Sequence, residues 1–152
     1  MKVVLDTSVI VEIDRKNEEI IKLIKRLIDK DHDIIISTVV VSEILAGSYL
    51  RKDFKKAVSE AKRILGQFIW VDVNSKIAEK TAQYIAYLIT EGKMIEYQDI
   101  VIAATFKITD SDYLLTLNKS HFTSIPELKS KIYEPREFKK TENFNRRLLT
   151  TS

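Results

Sequence analysis

Short, continuously apolar segments alternate along this chain with longer segments in which apolar residues recur at helical spacing. The short segments are typical of buried parallel strands, and the longer ones are typical of amphipathic helices. Strands separated by helices pair in parallel, so the pattern predicts an α/β fold with a small parallel sheet covered by helices on both faces. The predicted strands are Lys2–Leu5, Asp33–Ile36, Phe68–Val73, Tyr113–Thr116 and Lys131–Tyr133.

Helical segments lie between most of these strands. The segment Glu18–Lys30 carries an apolar stripe on one face and lysines with an arginine on the other. Ser37 or Thr38 can cap the helix that follows the second strand, and we expect Gly47 to end it. The remaining helices are predicted over Lys52–Leu65, from Asn74 or Ser75 to Ile89 with Gly92 as the stop, and over Gln98–Lys107.

The composition limits the class of protein. A chain of 152 residues with 45% hydrophobic content can bury one core, and three glycines and two prolines leave no candidate linker. No segment reaches the roughly 18 apolar residues of a membrane span, and the N-terminus lacks a signal-peptide pattern. Cysteine is absent, which excludes disulfides and thiolate metal sites. We therefore expect one cytoplasmic domain over residues 1–135 that does not contact a membrane.

The net charge of +3 belongs entirely to the C-terminal segment, residues 136–152. This segment holds five cations and two anions, whereas residues 1–135 hold 20 charges of each sign. Because the segment lacks apolar periodicity, we expect a flexible basic tail. Its composition suits either a solvated terminus or a set of contacts to nucleic-acid phosphates.

Three carboxylates have mainly apolar neighbours in the sequence, which is unusual for charged residues on a protein surface. Asp6 directly follows the first strand, at the sheet edge where α/β proteins bind ligands, although it could also be a helix N-cap. Glu43 has only apolar or small residues at helical spacing, so it is either a site residue or a member of a buried ion pair. Asp99 opens a helix that is apolar nearly all round, where a helix dipole would also favour it. The three together predict a divalent-metal site.

Oxygen must supply most of the ligands in such a site. The chain has no thiolate and only two histidines, His32 and His121. Oxygen ligands favour Mg²⁺ or Mn²⁺ over zinc. Without metal, mutual repulsion should raise the pKa of at least one of the three carboxyl groups.

Other acidic residues have ordinary explanations. Turn chemistry accounts for Asp110 and Asp112. Glu12 and Asp14 are expected on the outer face of the first helix, and His121 is expected to be a loop residue.

Several neutral polar residues lie near the predicted site. Thr7 and Ser8 could offer hydroxyl groups to a bound ligand, but both are also common helix-cap residues. Thr116 and Asn118 follow the fourth strand and so reach the same sheet edge as Asp6. Asn118 is either a turn residue or a fourth, neutral member of the site.

With these residues in place, the chain resembles PIN-domain ribonucleases, specifically toxins of the VapC type. The resemblance spans about residues 1–135. It is most specific in two consecutive segments, Asp99–Thr105 followed by Leu115–Phe122. The stretch Gly92–Ile95 also resembles the family. The four segments, in the expected order, are Val3–Val9, Val41–Ile44, Asp99–Thr105 and Leu115–Phe122.

The resemblance implies a three-layer α/β/α, PIN-like fold with about five parallel strands. It also implies Mg²⁺- or Mn²⁺-dependent cleavage of RNA. Asp6, Glu43 and Asp99 match the three core acids of the family, while the fourth acidic position falls on Asn118. That departure leaves open whether one or two metal ions bind. The family further implies a homodimer and a cognate antitoxin that inserts a peptide into the acidic pocket, which makes the chain the expected toxin of a type II toxin–antitoxin system.

Phosphodiester cleavage fits these residues, because it needs a nucleophilic water and neutralisation of charge on the phosphate. We predict that Asp6 and Asp99 contact the metal directly. Glu43 is expected either to contact the metal through water or to orient the attacking water. Two other functions stay open: a housekeeping PIN nuclease that processes RNA, and a catalytically silent RNA-binding or interaction module.

Overall fold

The computed structural model describes residues 1–141. Five strands form one parallel sheet, and every predicted strand is present with ends within two residues of the prediction. The strands are β1 (Lys2–Leu5), β2 (Asp33–Ser37), β3 (Ile69–Val71), β4 (Tyr113–Leu115) and β5 (Ile132–Tyr133). Their order across the sheet is β3-β2-β1-β4-β5. The predicted α/β fold with a five-stranded parallel sheet is therefore confirmed.

Six α-helices connect and cover these strands, and a further helical stretch, residues 135–141, ends the described part of the chain. The six are α1 (Thr7–Asp14), α2 (Glu18–Asp29), α3 (Thr38–Tyr49), α4 (Phe54–Leu65), α5 (Ser75–Thr90) and α6 (Tyr97–Ile108). Two short 3₁₀ segments follow β4, at Lys119–His121 and Pro126–Leu128. The longest of these helices, α5, has 16 residues, and no helix within residues 1–141 combines the length and apolar character needed to cross a membrane.

The two glycines expected to stop helices behave differently. Gly92 follows α5 with φ of 66°, the left-handed conformation that glycine adopts without steric cost. Gly47 was predicted to end α3, and that prediction is wrong, because the helix continues to Tyr49. Glycine inside a helix costs only about 1 kcal/mol relative to alanine. The buried valines at the start of α3 supply packing that outweighs this cost.

The core lies on both faces of the sheet and surrounds α6. The β1 residues Val3–Leu5 are fully buried, as are Leu114 and Leu115 of the adjacent β4. In α6, every residue from Ile100 to Phe106 is buried. The helix that the sequence shows as apolar all round is thus the central one, and its first turn emerges at the edge of the sheet.

The basic tail was predicted to begin at residue 136, but the ordered structure continues beyond that residue. Residues 135–141 are helical, and Phe138 is 2% exposed. Its ring packs edge-on against Tyr113 and Tyr133 at centroid distances of 5.2 and 5.9 Å. A single aromatic residue gives no periodicity, which explains why the sequence pattern missed this helix. The rest of the predicted flexible tail, residues 142–152, lies outside the described residues.

Candidate functional site

The sheet has one position at which its strand order reverses. The chain passes from β1 to β2 and β3 on one side, and β4 then pairs with the other side of β1. Open α/β sheets bind ligands in the crevice outside the carboxyl ends of the strands at such a switch point. A cleft of about 500 Å³ opens there, which we call the acid cleft. The four predicted site residues Asp6, Glu43, Asp99 and Asn118 all line it.

Asp6 is the most deeply placed of these residues, with 3% of its surface exposed. Its backbone N–H donates to the Leu115 carbonyl at 3.0 Å and so extends the pairing of β1 with β4. It occupies the N-cap position of α1, but its side chain makes no capping hydrogen bond. The carboxylate instead accepts two hydroxyl hydrogen bonds on the same oxygen, Oδ2, from Ser8 at 2.7 Å and from Thr116 at 2.8 Å. The alternative role as a helix cap is thus not realised.

The two hydroxyls also fix the loop that follows β4. Ser8 Oγ accepts the backbone N–H of Leu117 at 3.0 Å, and Thr116 Oγ1 accepts that of Asn118 at 2.9 Å. Each hydroxyl therefore donates to Asp6 and accepts from the loop. Because no hydrogen bond from the described residues ends on Oδ1 of Asp6, that oxygen is free to bind a ligand. The sequence placed Ser8 and Thr116 near the site but did not show that they hold Asp6.

Glu43 projects from α3 toward the acid cleft and is half-buried. Thr7 Oγ1 donates to its Oε1 at 2.8 Å. Burial raises the pKa of Glu43, the Thr7 hydrogen bond opposes the rise, and the negative charges of Asp6 and Asp99 add to it. The charges that act on Glu43 are thus like charges, and a buried ion pair, the alternative interpretation, is not realised within residues 1–141.

Asp99 lies in the first turn of α6, with 15% of its side chain exposed. Burial and the neighbouring Asp6 raise the pKa of its carboxyl group, while His121 opposes the rise. His121 Nδ1 lies 2.9 Å from Oδ2 of Asp99. His121, expected to be a loop residue, lies in the 3₁₀ segment after β4 and belongs to the cleft wall. Its contact with Asp99 depends on how α6 packs beside β4, which no local pattern reveals.

The predicted placement of Glu12 on the outer face of α1 is wrong. Glu12 lines the acid cleft and accepts a 2.9 Å hydrogen bond from Asn17 Nδ2. Arg15 Nη1 lies 3.3 Å from the same carboxylate. Arg15 reaches Glu12 at the ordinary helical spacing of three residues, whereas Asn17 reaches it because the eight-residue α1 ends and the chain turns toward α2.

The other acids that turn chemistry explained lie away from the cleft. Asp112 accepts the backbone N–H of Lys2 at 2.7 Å, at the amino end of β1 and so at the opposite edge of the sheet. Asp110 adopts a left-handed turn conformation with φ of 50°. Both residues have the structural role expected of them.

The donor set of the cleft fits a hard divalent cation held partly by water. Within residues 1–141, no three acidic, histidine or cysteine side chains are arranged to hold one metal ion between them. Mg²⁺ keeps several waters and binds through one or two carboxylates, so it does not need such a cage. Burial is the largest cause of the raised pKa values of Glu43 and Asp99, and the neighbouring carboxylates add to it, so a bound cation would favour the ionised form of both groups. The assignment of Asp6, Asp99 and Glu43 as metal ligands stays a prediction.

Comparisons with known proteins agree with this geometry. Residues 3–128 match the PIN domain family. Ribonuclease VapC19 of Mycobacterium tuberculosis is 30% identical over 124 residues, which are 82% of this chain and 94% of VapC19. FitAcB from Neisseria gonorrhoeae is 28% identical with a TM-score of 0.73, over 88% of this chain and 97% of that one.

A third comparison concerns the fold alone. VapBC2 from Rickettsia felis, bound to a DNA fragment from its promoter, has a TM-score of 0.80 at 22% identity, over 88% of this chain and 98% of that one. The resemblance read from the sequence is therefore confirmed. Because the family match covers most of the chain and includes the segments that carry Asp6, Glu43 and Asp99, this chain belongs to the PIN domain family.

Proposed function

We propose that this chain is a Mg²⁺- or Mn²⁺-dependent endoribonuclease of the cytoplasm that acts as the toxin of a type II toxin–antitoxin system. One observation carries the proposal: carboxylates from three separate elements meet at the switch point of the sheet, and two of them have raised pKa values. Perturbed carboxyl groups that face one another in a cleft are typical of functional sites. The relationship to ribonuclease VapC19 supports RNA as the substrate.

The side chains of the cleft divide the work between them. Asp6 presents one carboxylate oxygen while Ser8 and Thr116 hold the other, so its orientation is fixed before any ligand arrives. Asp99 stands across the cleft. A divalent cation bound by these two residues would lower the pKa of a water molecule and neutralise charge on the phosphate. Glu43, with its raised pKa, is suited to accept a proton from the attacking water.

Asn118 sets this cleft apart from the four-acid pattern of the family. Its backbone is tied to Thr116, and its side chain lines the cleft as an exposed, neutral amide. An amide contributes an oxygen ligand without charge, which reduces the attraction of the site for a second cation. Asn118 is also the observation that favours the second candidate function, a PIN domain that binds RNA without cutting it.

The partners follow from the same cleft. Among residues 1–141, the acid cleft is lined by several carboxylates and by one arginine, the exposed Arg15 that pairs with Glu12. Such an acidic pocket suits a cationic peptide, and we propose that a cognate antitoxin supplies one. Solved proteins with this fold include VapBC-5 of Mycobacterium tuberculosis, a member of the VapBC family of toxin–antitoxin systems. We also propose that the chain forms a homodimer. The presence of a short antitoxin gene beside its own would separate this function from that of a housekeeping RNA-processing nuclease.

The decisive experiment is cleavage of a mixed RNA pool with Mg²⁺, with Mn²⁺ and with EDTA. Wild type is compared with Asp6→Asn and Asp99→Asn, which remove a charge while keeping the side-chain shape. Cleavage that needs the metal and disappears in both variants is the expected result. Equal cleavage by the variants would assign the activity elsewhere. Binding of the pool without any cleavage, in protein checked to be free of a co-purified antitoxin, would favour the silent RNA-binding module.

A further inference from the structure

A second cleft adjoins the acid cleft and shares part of its wall. Its volume is about 450 Å³, and we call it the side cleft. Glu96, Asp99 and His121 line both clefts, so the two clefts adjoin at the Asp99–His121 pair. The remaining lining residues of the side cleft are Met94, Ile95, Tyr97, Ser120 and Ser124.

The side cleft has a different chemistry from the acid cleft. Tyr97, two residues before Asp99, is 58% exposed, and Met94 is 99% exposed. The hydroxyls of Ser120 and Ser124 have no protein hydrogen-bond partner among the described residues, so both can bond a ligand. An exposed ring beside free hydroxyls is the combination with which proteins hold unpaired RNA bases: the ring stacks on the base, and polar groups contact its edge.

Other aromatic residues could be considered for stacking, but the exposed ones among residues 1–141, Tyr49, Phe54, Trp70 and Tyr87, line neither cleft. Phe122 is fully buried in the core. Tyr49 is 56% exposed, about as much as Tyr97, but its ring packs against Phe54 at a centroid distance of 6.4 Å. Tyr49 is also absent from the residues that line the acid cleft and the side cleft. Exposure alone therefore does not single out Tyr97; its place beside Asp99 does.

We infer that the side cleft binds the nucleobase next to the scissile phosphate of single-stranded RNA, with that base stacked on Tyr97. The inference rests on the proposed function, because it places the phosphate in the acid cleft. It adds a residue that would govern which bond is cut. Ser120 and Ser124 would contact the edge of the base, and each hydroxyl can both donate and accept a hydrogen bond.

The test uses the full chain and three variants, Tyr97→Ala, Tyr97→Phe and the matched control Tyr49→Ala. Each cleaves a randomised single-stranded RNA pool with Mg²⁺, and the new ends are sequenced. Tyr97→Ala should lower kcat/KM by about 5- to 150-fold, the equivalent of ~1–3 kcal/mol of stacking. It should also flatten the base preference at one position beside the cut. Tyr97→Phe keeps the ring and should retain both, as should Tyr49→Ala.

A photochemical cross-link makes the test independent of cleavage. RNA containing 5-iodouridine is irradiated with wild type, and the modified peptide is identified by mass spectrometry. A cross-link at Tyr97 is expected. If wild type cuts RNA while Tyr97→Ala matches Tyr49→Ala in rate and base preference, the side-cleft inference is overturned and the nuclease stands. If wild type cuts nothing, the proposed nuclease fails; a cross-link at Tyr97 would then still support base binding, and its absence would overturn both.

Discussion

The two ends of helix α6 carry opposite electrostatic arrangements. At its N-terminal end, Asp99 faces Asp6 and Glu96, and these like charges add to burial in raising the pKa of the Asp99 carboxyl group. At its C-terminal end, Lys107 pairs with Glu127 at 3.2 Å.

Glu127 shows what a fully partnered carboxylate looks like in this protein. It also lies 3.6 Å from Lys80 Nζ and accepts a 3.1 Å hydrogen bond from the Tyr84 hydroxyl. Burial opposes ionisation, but the hydrogen bonds from Lys107 and Tyr84 and the two lysine charges hold the pKa of Glu127 below its usual range. The pKa of the partially buried Tyr84 hydroxyl shifts in the opposite direction, because burial and the charge of Glu127 raise it.

The contrast separates a structural ionic cluster from a functional one. The helix dipole favours an anion at the start of α6 and a cation at its end, so both ends agree with it and it does not explain the difference. What differs is the degree of compensation: two lysines and a tyrosine hydroxyl surround Glu127, whereas the pKa values of Glu43 and Asp99 stay raised although Thr7 and His121 oppose the rise. Carboxylates left without counterions in a cleft are typical of sites at which a ligand binds. The predictions below test whether that distinction holds.

The largest expected difference is in RNA cleavage. Asp99→Asn should lower the rate by about 100-fold or more, because it replaces an anionic ligand of the proposed metal ion that would neutralise charge on the phosphate in the transition state. Glu127→Gln, at the other end of the same helix, should cut at the wild-type rate. Gel-based initial rates on one RNA with Mg²⁺ measure both. An equal loss in the two variants would mean that α6 transmits a general structural defect and that the two ends are not distinct.

Cation binding gives a second contrast that needs no RNA. A ligand present at 100 times its dissociation constant stabilises the folded state by ~2.7 kcal/mol, which raises Tm by about 5–10 °C in a domain of this size. Wild type and Glu127→Gln should show this shift when melted with saturating Mg²⁺ rather than EDTA. Asp6→Asn and Asp99→Asn should show little of it. A shift that survives both substitutions would place the cation outside the acid cleft.

The hydrogen bonds that hold the Asp6 carboxylate are tested by removing the hydroxyl of Thr116. Thr116→Val leaves the buried Oδ2 of Asp6 with one donor fewer and the Asn118 N–H without its acceptor. We expect a loss of ~1–3 kcal/mol in the free energy of unfolding, measured in urea. Thr105→Val is the matched control, because Thr105 is equally buried but its hydroxyl bonds only to the Val101 carbonyl of its own helix. A loss as large in the control would show that burial of any threonine at this depth accounts for the effect.

The sheet and the three acids could be predicted because each produces a recognisable local pattern in the sequence. Strands such as Lys2–Leu5 are apolar runs, and Glu43 shows itself by the absence of a cation at helical spacing. The hydrogen bonds that hold Asp6 produce no such pattern, because Ser8 and Thr116 are 108 residues apart and meet only when β1 and β4 pair. The same reason explains why His121 was taken for a loop residue.

Errors at the edges of elements have other physical causes. Gly47 was expected to end α3 from its intrinsic preference, but tertiary packing overrides a preference of about 1 kcal/mol. Glu12 was assigned to an outer face by helical geometry alone, which does not include the turn that folds Asn17 back over it. Phe138 is a single anchor for the last described helical residues, 135–141, and one aromatic cannot produce a periodic pattern.

The smallest predicted effect, and the one that states the comparison most directly, is the pH dependence of stability in EDTA. The folded pKa of Glu43 lies above its ordinary 4.5, so its contribution is fully present below that pH and is lost as the pH rises through the folded value. Glu127 has a lowered folded pKa, so its contribution is present above 4.5 and is lost as the pH falls.

Glu43→Gln should therefore melt above wild type at neutral pH, and Glu127→Gln should melt below it. Both differences should be under about 1 kcal/mol, because both groups are partly solvated, and should shrink in high salt and in acid. Thermal melts from acid to neutral pH measure both, and the same sign in the two variants would remove the distinction between a compensated and an uncompensated end of α6.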